Sequence, residues 1–311
     1  MPKVLHAIDL CAGAGGWACA ARGTDVKITH AFDRWPTAAR TYRINHPDTQ
    51  VADADLLEAE TQASIRDLKG QVDVVLGGIP CEWLSIIRNG WNPKTKTKPA
   101  EFAEGRALLD AALALITHLE PRWWCLEDVI GLRYELPPMT PYTVLDARHW
   151  SAQRRKRLFV GHFPMPAKPK KKPGVLADVL RPGPYRIGRR TWPRVIKRRE
   201  CFDGTSFVPA FPAEKAPTIT SATNSRRDAD LAVVDPSLPG GKRQLEWQEA
   251  AKLQGFPTDY LFFGSPTDVA TQIGQAIQID LGHAILEAMC RHARPGRSLK
   301  PALAVRPRGP I

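Results

Sequence analysis

The sequence predicts an α/β protein with a doubly wound, mostly parallel sheet and a second, smaller domain. Short apolar strands alternate with helical segments over residues 1–163, and a glycine-rich turn follows the first strand. From Pro164 onward, proline and arginine become frequent and helical periodicity fades. Alternation of strands and helices is typical of a parallel sheet that is covered by helices on both faces.

The strands of the first region are predicted from short β-branched and apolar runs, and the helices from apolar residues that recur with helical spacing. One such helix contains Leu108, Leu115 and Ile116 on a single face. In chain order the predicted elements are strand Val4–Leu10, helix Ala18–Arg22, strand Val26–Phe32, helix Thr37–Asn45, strand Val51–Asp53, strand Val72–Leu76, helix Ala103–Leu119, strand Trp123–Leu126 and strand Leu158–Gly161.

The second region is predicted to be a small inserted domain of irregular and β structure over residues 164–268. Its strand candidates are Arg194–Ile196 and Thr218–Thr220, and helix returns at Glu246–Gln254 and at Thr271–His292. The chain is therefore expected to comprise a catalytic, cofactor-binding domain at 1–163, the small domain at 164–268, a C-terminal helix at 269–293 and a basic tail at 294–311.

Positive charge is concentrated in two stretches of the chain. The whole sequence has 44 Lys and Arg against 32 Asp and Glu, a formal net charge of +12. Residues 164–200 contain twelve basic residues and two acids, a local net charge of +10, and residues 291–311 contain six basic residues and no acid. Such stripes suit a polyphosphate partner, because each phosphate contact releases counterions. The alternative is a solvated linker and tail.

The sequence predicts neither a membrane-spanning helix nor a framework of disulfides. No apolar run approaches the roughly 18 residues that a membrane-spanning helix needs, and the N-terminus leads directly into a strand. We therefore expect an unprocessed, cytoplasmic protein without membrane contact. The cysteines contain no Cys-x-x-Cys pair, so neither disulfides nor a metal site is expected. They are Cys11, Cys19, Cys81, Cys125, Cys201 and Cys290.

The glycine-rich turn after the first strand indicates a nucleoside cofactor. Gly13 and Gly15, with Ala18 further on, satisfy the loose dinucleotide-binding pattern, and Asp33 follows about twenty residues later. Asp33 is placed to accept hydrogen bonds from ribose hydroxyls, or alternatively to cap the helix that starts near Pro36. The glycines alone do not identify the cofactor.

Three further features lie at predicted strand ends. Cys81 follows a strand, two glycines and Pro80, so it is either a small buried residue or a reactive thiol in a cleft. Glu127 follows an apolar run, and partial desolvation would make it a candidate proton donor. In the segment QRRKR, an extended backbone would align Gln153, Arg155 and Arg157 on one side.

Over nearly its whole length the chain resembles the DNA (cytosine-5)-methyltransferases. That family carries its motifs in a fixed order, and a matching segment occurs here for each of several motifs. One match could arise by chance, whereas the ordered series identifies the chain as a member of the family. The segments are DLCAGAGG, FDRWPTAARTYRINHP, ADL, GGIPCEWLS, EDV, QRRKR, EAAKLQGFP and QIGQAI.

The resemblance implies a Rossmann-like, S-adenosylmethionine-dependent methyltransferase sheet with a target-recognition domain, acting on double-stranded DNA as a monomer. It implies that the ribose is bound by an acid after the second strand and the adenine amine by the acid of ADL. The residues it assigns to the cofactor are Asp9, Cys11, Gly13, Gly15, Gly16, Trp17, Asp33, Arg34, Trp35, Asp55, Leu56, Pro80 and Gln275.

The same resemblance implies a covalent mechanism. The thiolate of Cys81 would add to C6 of a flipped cytosine, Glu127 would hold N3, and Arg157, helped by Arg155, would bind the O2 side. Candidate DNA-binding residues lie in the nucleophile loop, in QRRKR and in the basic small domain. They are Ser85, Gln153, Arg186, Arg189, Arg190, Trp192, Arg194, Lys197 and Arg198.

Several positions depart from the family pattern. Cys11 stands where Phe is usual, Arg34 where an apolar or aromatic residue covers the adenine, and Asp128 where Asn is usual. Glu82 and Gln275 also replace the usual Gln and Asn. Only fourteen residues separate Val129 from Val144, which predicts that the helix and strand of this part are trimmed. The departures suggest a compact, divergent, phage-type enzyme and leave open a modified S-adenosylmethionine as donor.

Three other functions are compatible with parts of the sequence. A nicotinamide-dependent oxidoreductase would explain the glycine turn and Asp33, but it leaves Cys81, Glu127 and the basic region without a role. A catalytically silent DNA-binding relative would not need the set of Cys81, Glu127, Arg155 and Arg157. Methylation of RNA cytosine would use the same chemistry as methylation of DNA.

Overall fold

The computed structural model describes residues 4–80, 84, 99–170, 173–175, 178–179, 186–190, 207–210, 215–216, 218–220, 231–234 and 242–293. The chain divides into two compact units. The first unit comprises Met1–Leu145, Lys156–Ala167 and Leu281–Ile311, and the second comprises Asp146–Arg155 and Lys168–Asp280. The division differs from the predicted domains, because residues 146–155 and 269–280 belong to the second unit and residues 164–167 to the first.

The first unit is built on a sheet in which seven described strands follow the order β3-β2-β1-β4-β5-β7-β6. The pairings among β1 to β5 are parallel, and β7 runs antiparallel to β5. This is the predicted doubly wound arrangement, with one reversed strand. The strands are β1 Leu5–Leu10, β2 Val26–Asp33, β3 Gln50–Asp53, β4 Val74–Gly78, β5 Trp123–Asp128, β6 Tyr142–Asp146 and β7 Lys156–Val160.

Helices flank this sheet and enclose its core. The central strands β1 and β4 are apolar and almost wholly buried, as parallel strands between helical layers must be. Leu109, Leu115 and Ile116 of the longest helix pack into the same core as Ile8 and Val75. The helices are α1 Gly16–Ala21, α2 Pro36–Asn45, α3 Ala59–Arg66 and α4 Pro99–Leu119.

Two local predictions for the first unit were wrong. Strand β5 does not end at Leu126 but continues through Glu127 and Asp128, because these residues pair with Phe159 and Leu158 of β7. The strand that the sequence suggested was trimmed is present as β6, while the preceding helix is reduced to a 3-10 turn at Ile130–Tyr134. The sequence also gave no signal for helix α3.

The second unit contains a separate antiparallel sheet with the described strand order β11-β10-β8-β9. These strands are β8 Arg186–Arg190, β9 Phe207–Ala210, β10 Leu231–Val234 and β11 Lys242–Gln244. Thr218–Thr220, predicted as a strand, is not one, and Arg194–Ile196 lies outside the described residues. The prediction of a small β domain is therefore correct in kind, although its strands lie elsewhere.

The C-terminal helical region is interrupted, in contrast to the single helix predicted for Thr271–His292. Helix α5 spans Trp247–Gln254, α6 spans Pro266–Gln275 and α7 spans Ile279–Ala293. Helix α6 ends because Ala276 adopts an extended conformation. From Leu281 onward α7 belongs to the first unit, where His283 Nδ1 lies 2.9 Å from the carbonyl oxygen of Ala20 on α1.

Neither a membrane span nor a metal cluster is found in the described part of the chain. None of the described helices combines the length and the apolar character that crossing a bilayer requires. No group of three or more His, Cys, Asp or Glu side chains comes together among the described residues in a way that could hold a metal ion.

Candidate functional site

The glycine turn connects β1 to α1 through a series of left-handed backbone conformations. Cys11, Gly13 and Gly15 have φ angles of 50°, 54° and 86°. Glycine adopts this region without strain, whereas other residues rarely do. The amide of Ala12 donates to the carbonyl of Phe32 at 3.0 Å, which ties the turn to the end of β2. The turn therefore brings its backbone amides toward the acid that follows Phe32.

That acid, Asp33, is the hydrogen-bonding centre of this edge. The amide of Gly13 donates to its Oδ2 at 2.6 Å, and the amide of Trp35 donates to its Oδ1 at 2.8 Å. Burial raises the pKa of Asp33, while these two amides and the nearby Arg34 oppose the rise. Trp35, not Asp33, is the N-cap residue of α2. Asp33 thus bridges the glycine turn and the start of α2.

Cys11, which is partly buried, and Asp9, which is fully buried, lie at and just before the start of the glycine turn. Burial raises the pKa of the Cys11 thiol, and the neighbouring carboxylates of Asp33 and Asp9 raise it further, so Cys11 is a neutral thiol. Asp9 has no exposed surface, and the Tyr42 hydroxyl donates to its Oδ2 at 3.4 Å. Burial raises the pKa of Asp9 well above its usual range. Asp9 therefore lies beneath the turn, not on a ligand-facing surface.

Trp17 and Gly77 fix the glycine turn against the central strand. Trp17 is buried, and its indole Nε1 donates to the carbonyl of Gly77 at 3.2 Å. A Cβ atom at Gly77 would lie 2.9 Å from both the Leu10 carbonyl oxygen and Leu126 Cδ2. Glycine is required there because β1, β4 and β5 pack closely. The side chain of Trp17 consequently has a structural contact, and Gly16 begins the helix beside it.

Next to Asp33 lies a group of charges that the sequence did not predict. Arg34 donates to Glu104 on α4, and its Nη1 lies 3.6 Å from Asp55 Oδ2. Asp55 also accepts a hydrogen bond from the amide of Leu57 at 2.9 Å. Glu104 lies 70 positions from Arg34 in the sequence, and only the fold brings the two together.

The remaining predicted cofactor residues of the first unit differ in exposure. Leu56 is almost fully buried and belongs to the hydrophobic core, so its side chain is not a surface contact. Trp35 and Pro80 are partly exposed, which is compatible with contact to a ligand. These residues, together with Asp33 and Asp55, follow the ends of β2, β3 and β4 at the carboxyl edge of the sheet, where open α/β sheets bind ligands.

Glu127 and Arg157 form an ion pair at the adjoining strands β5 and β7. Arg157 Nε lies 3.3 Å from Glu127 Oε1, and their side chains are 16% and 7% exposed. The antiparallel pairing of β5 with β7 aligns these neighbouring residues across the two strands. A largely desolvated carboxylate beside a guanidinium group provides acceptor and donor atoms within one small region.

Arg155 belongs to the second unit and has a different environment. It is 2% exposed, and its guanidinium group donates to the carbonyls of Ile219, Gly274 and Ala276 at 2.8, 3.1 and 3.0 Å. The last two carbonyls flank Gln275, which is exposed. The structure thus differs from the expectation that Arg155 contacts a base, because its donors are directed to the backbone around Gln275.

Gln153 is also buried within the second unit, which differs from the exposed position that a DNA contact requires. Its Nε2 donates to the Leu253 carbonyl at 3.2 Å and to Gln254 Oε1 at 2.9 Å. Its Oε1 accepts from the amide of Ile219 at 3.2 Å. Gln254 was not among the predicted site residues, although it lies in the segment EAAKLQGFP directly before Gly255.

The other predicted residues cannot be assigned contacts. Cys81 lies outside the described residues, although β4 and Pro80 lead directly to it. Strand β8 contains three of the predicted DNA-binding arginines, and its backbone pairs with β9 and β10. These three are Arg186, Arg189 and Arg190, whereas Ser85, Trp192, Arg194, Lys197 and Arg198 lie outside the described residues.

Comparison with known proteins gives consistent matches. Residues 5–136 and 181–291 match the C-5 cytosine-specific DNA methylase family. The type II methyltransferase M.HindV of Haemophilus influenzae is 24% identical over 327 residues, covering 95% of this chain and 100% of that protein. M.HgiDI of Herpetosiphon aurantiacus is 24% identical over 312 residues, covering 89% of this chain and 91% of that protein.

Solved structures share the fold at lower identity. A prophage-encoded E. coli protein described as a DNA modification methyltransferase has a TM-score of 0.62 and 17% identity, covering 92% of this chain and 99% of that chain. A mutant of DNMT2 from Spodoptera frugiperda has a TM-score of 0.60 and 15% identity, with coverage of 92% and 99%. Both likenesses support the α/β arrangement described above.

Proposed function

The chain belongs to the C-5 cytosine-specific DNA methylase family and is an enzyme of this class, and we propose that it transfers a methyl group from S-adenosylmethionine to C5 of cytosine in double-stranded DNA. The observation that carries the proposal is the buried ion pair of Glu127 and Arg157 next to the strand that leads to Cys81. Gly78 of β4 is the direct register partner of Glu127 on β5. Three residues after Gly78 the chain reaches Cys81.

Cytosine C5 is too weak a nucleophile to attack a sulfonium methyl group directly, so the ring must first be activated. The thiolate of Cys81 adds to C6, which breaks the C5–C6 double bond and leaves an enamine with a C4–C5 double bond, so that C5 becomes nucleophilic. C5 then takes the methyl group, and the sulfonium of S-adenosylmethionine would leave as the neutral thioether of S-adenosylhomocysteine. Loss of the C5 proton to a base restores the double bond and expels the thiolate, so no oxidant or reductant is consumed.

Glu127 and Arg157 are proposed to hold the base during these steps. Glu127 gives a proton to N3, which is an acceptor in neutral cytosine, as the adduct forms, and its carboxylate then accepts the N3–H hydrogen bond, while Arg157 donates to O2. The 3.3 Å separation of Arg157 Nε and Glu127 Oε1 means that both groups can serve one planar ring. In this low-dielectric position the pair stabilises charge that develops on the adduct.

The edge formed by the glycine turn and Asp33 suits a nucleoside group. Asp33 would bind the ribose hydroxyls and Asp55 the adenine amine, with Trp35 beside the ring. S-adenosylmethionine supplies an electrophilic methyl group when it is bound. Arg34 is balanced by Glu104 and Asp55, so it does not provide an unshared cation for an added acidic group. This favours plain S-adenosylmethionine over a modified donor.

The second unit is proposed to bind DNA and to help extrude the target base. Its residues 168–200 hold most of the excess positive charge, and β8 contributes three arginines. Extruding a base costs a few kcal/mol, which backbone contacts must offset. Because few side chains can reach base edges from so small a region, we expect a short or degenerate target. We also propose that the enzyme acts as a monomer in the cytoplasm of a bacterial or phage-infected cell.

Trapping with 5-fluorocytosine tests the chemistry. Fluorine at C5 blocks the final elimination, so the native enzyme should form a stable adduct with fluorinated duplex DNA when S-adenosylmethionine is present. Cys81→Ser should form none, because a serine alkoxide is far harder to generate at neutral pH than a thiolate. Cys290→Ser, a change of a buried cysteine on α7, is the matched control and should be trapped like the native enzyme.

The alternatives give different results in the same assay. Methyl transfer to RNA in preference to duplex DNA would make the protein an RNA methyltransferase. Binding to DNA without adduct or methyl transfer would make it a catalytically silent relative. Adduct formation by Cys81→Ser at the native rate would remove Cys81 from the mechanism.

A further inference from the structure

Asp128, the last residue of β5, is a buried acid to which the proposed mechanism gives no role. It is 1% exposed and pairs with Leu158 of β7. It directly follows Glu127 and stands where the family that the chain resembles usually has Asn. An acid in place of an amide changes the possible charge of the site by a full unit, so its protonation state matters.

The hydrogen bonds of Asp128 account for only one of its carboxyl oxygens. Oδ1 accepts from the amide of Val129. Oδ2 is fully buried and has no hydrogen-bond partner among the described residues. A buried, ionised carboxylate normally accepts several hydrogen bonds or pairs with a cation, because its desolvation is otherwise very costly.

Within the described part of the chain, the charges that act on Asp128 are the carboxyl of Glu127 and the guanidinium group of Arg157. On the same strand lies Glu127, and on the facing strand β7 lies Arg157, whose Nε is 3.3 Å from Glu127 Oε1. In the following 3-10 helix Arg133 donates to the hydroxyl of Tyr134. Among the described residues, the guanidinium group of Arg157 thus lies near two adjacent acids and pairs with Glu127. Like-charged carboxyls at such a site cannot both ionise readily.

We propose that Asp128 carries a proton in the folded enzyme and acts as a positioning residue, which keeps Glu127 as the one carboxylate that Arg157 balances. In its neutral form Asp128 presents a carbonyl oxygen to Val129 and an O–H group in place of the amide NH₂ of Asn. Burial raises the pKa of Asp128 well above its usual range, and the charge of Glu127 raises it further. The Val129 amide and Arg157 act in the opposite direction.

The protonation can be tested without any assay of methyl transfer. Free energies of unfolding are measured by denaturant titration between pH 5 and 8 for the native enzyme, Asp128→Asn and, as a matched surface control, Asp48→Asn, whose site is exposed. The folded native protein keeps a proton that the unfolded chain releases above a pKa of about 3.9. The contribution of Asp128 to the free energy of unfolding is therefore fully present below that pH, and it declines as pH rises toward the pKa of folded Asp128.

The expected result is a difference in the free energy of unfolding between the native enzyme and Asp128→Asn that grows as pH rises. The folding equilibrium constant of the native enzyme should fall relative to that of Asp128→Asn by about tenfold per pH unit within this window. The Asp48→Asn control should keep a constant ratio to the native enzyme. An infrared band of a protonated carboxylic acid, present in the native enzyme at pH 7 and absent from Asp128→Asn, provides a second measurement if the variant folds poorly.

Three results would overturn the proposal. Parallel stability curves for the native enzyme and Asp128→Asn would show that Asp128 is ionised in the folded state. Loss of the pH dependence in Glu127→Gln, with the dependence retained in Asp128→Asn, would place the proton on Glu127 instead. Loss in both variants would assign it to the pair and not to Asp128.

The positioning role rests on the proposed function and has its own readout. With duplex DNA, Asp128→Asn should keep kcat within a few-fold of the native value at pH 7. It should also lack any decline in kcat that ionisation of Asp128 causes at higher pH. Asp128→Leu, which lacks both hydrogen-bonding groups, should lower kcat at least tenfold with little change in KM for DNA.

Equal kcat and pH profiles in all three proteins would refute the role. Complete inactivity of the native enzyme would refute the proposed function, while the unfolding data would still decide the protonation.

Discussion

Arg157 and Arg155 lie two residues apart in one motif, yet their surroundings have little in common. Arg157 of the first unit meets a carboxylate, with Nε 3.3 Å from Glu127 Oε1 and 16% of its side chain exposed. Arg155 of the second unit is 2% exposed and meets three backbone carbonyls. The same side chain thus has an ionic partner in one case and neutral partners in the other.

We propose from this difference that the motif combines a functional residue, Arg157, with a structural one, Arg155. An ion pair at the end of a strand can rearrange when a substrate brings its own donors and acceptors. A guanidinium group that satisfies buried carbonyls cannot leave them without exposing unsatisfied polar groups. We therefore assign Arg157 to the chemistry and Arg155 to the backbone around Gln275, and the following predictions test this contrast.

The largest effect is expected at Arg157. Arg157→Ala removes the proposed donor to the O2 side of cytosine, and loss of such a donor costs about 10²–10³-fold in kcat. Arg157→Lys keeps the charge but loses the planar fork and should recover only part of the rate. Steady-state methyl transfer at saturating DNA measures both variants.

Arg154 supplies the matched control for Arg157. Its side chain is exposed three positions earlier in the same segment, so Arg154→Ala should leave kcat nearly unchanged. A kcat for Arg157→Ala within threefold of the native value would show that Arg157 has no part in the mechanism. The proposed difference in role between Arg157 and Arg155 would then be wrong.

Arg155→Ala should affect stability more than chemistry. The change leaves the carbonyls of Ile219, Gly274 and Ala276 without this donor, at about 1–3 kcal/mol for each buried unsatisfied group. We expect the free energy of unfolding to fall by about 3 kcal/mol or more, as measured by denaturant titration. Native stability combined with a large loss of kcat would instead make Arg155 a catalytic residue, as the sequence alone suggested.

Asp33 provides a further test within the first unit. Its carboxylate accepts hydrogen bonds from two backbone amides, and it is also proposed to bind the ribose of the cofactor. Asp33→Ala should weaken S-adenosylmethionine binding by about 10–100-fold, since a charge-assisted hydrogen bond contributes about 1.5–3 kcal/mol. Calorimetry measures the affinity. Asp53→Ala, at the register partner on β3, is the control and should bind normally. If Asp33→Ala lost stability but kept its affinity, Asp33 would be purely structural.

The smallest effect is expected for single arginines on β8. Arg189→Ala should lower the slope of log affinity against log salt by about one unit if Arg189 contacts a phosphate, and affinity itself should fall only a few-fold. DNA binding is measured across a salt series. Arg66→Ala, at an exposed arginine of α3 in the first unit, should leave the slope unchanged. An unaltered slope for Arg189→Ala would exclude a phosphate contact.

The first unit was largely predictable because its signals are local. Buried parallel strands need nearly continuous apolar runs, and these located β1, β2, β4 and β5 to within a few residues. The family order of motifs similarly predicted which carboxylates follow which strands. Helix α3 and strand β6 escaped prediction because their residues are only partly apolar and their position depends on neighbours that are distant in sequence.

The second unit was predicted in kind but not in detail. Its strands are three to five residues long, and their composition ranges from the basic β8 and β11 to the wholly apolar β10, so alternation of polar and apolar residues gives little information. The prediction of one helix over Thr271–His292 failed for a related reason. The extended conformation of Ala276 separates α6 from α7, and the sequence carries no proline there and only Gly274, which a helix tolerates, near that site.

The sequence by itself determined the family and the α/β class, and it predicted a cofactor edge and a set of catalytic candidates, because all of these depend on residue types in a fixed order. Only the tertiary structure decided what each polar side chain contacts. Glu104 reaches Arg34, and Gln153 reaches Gln254, across 70 and 101 positions of sequence. Arg155 is more deeply buried than Arg157 and has different partners. Among the described residues, Asp128 and Glu127 both lie near Arg157. Partners and burial arise from packing, and so a linear pattern that specifies residue types does not specify them.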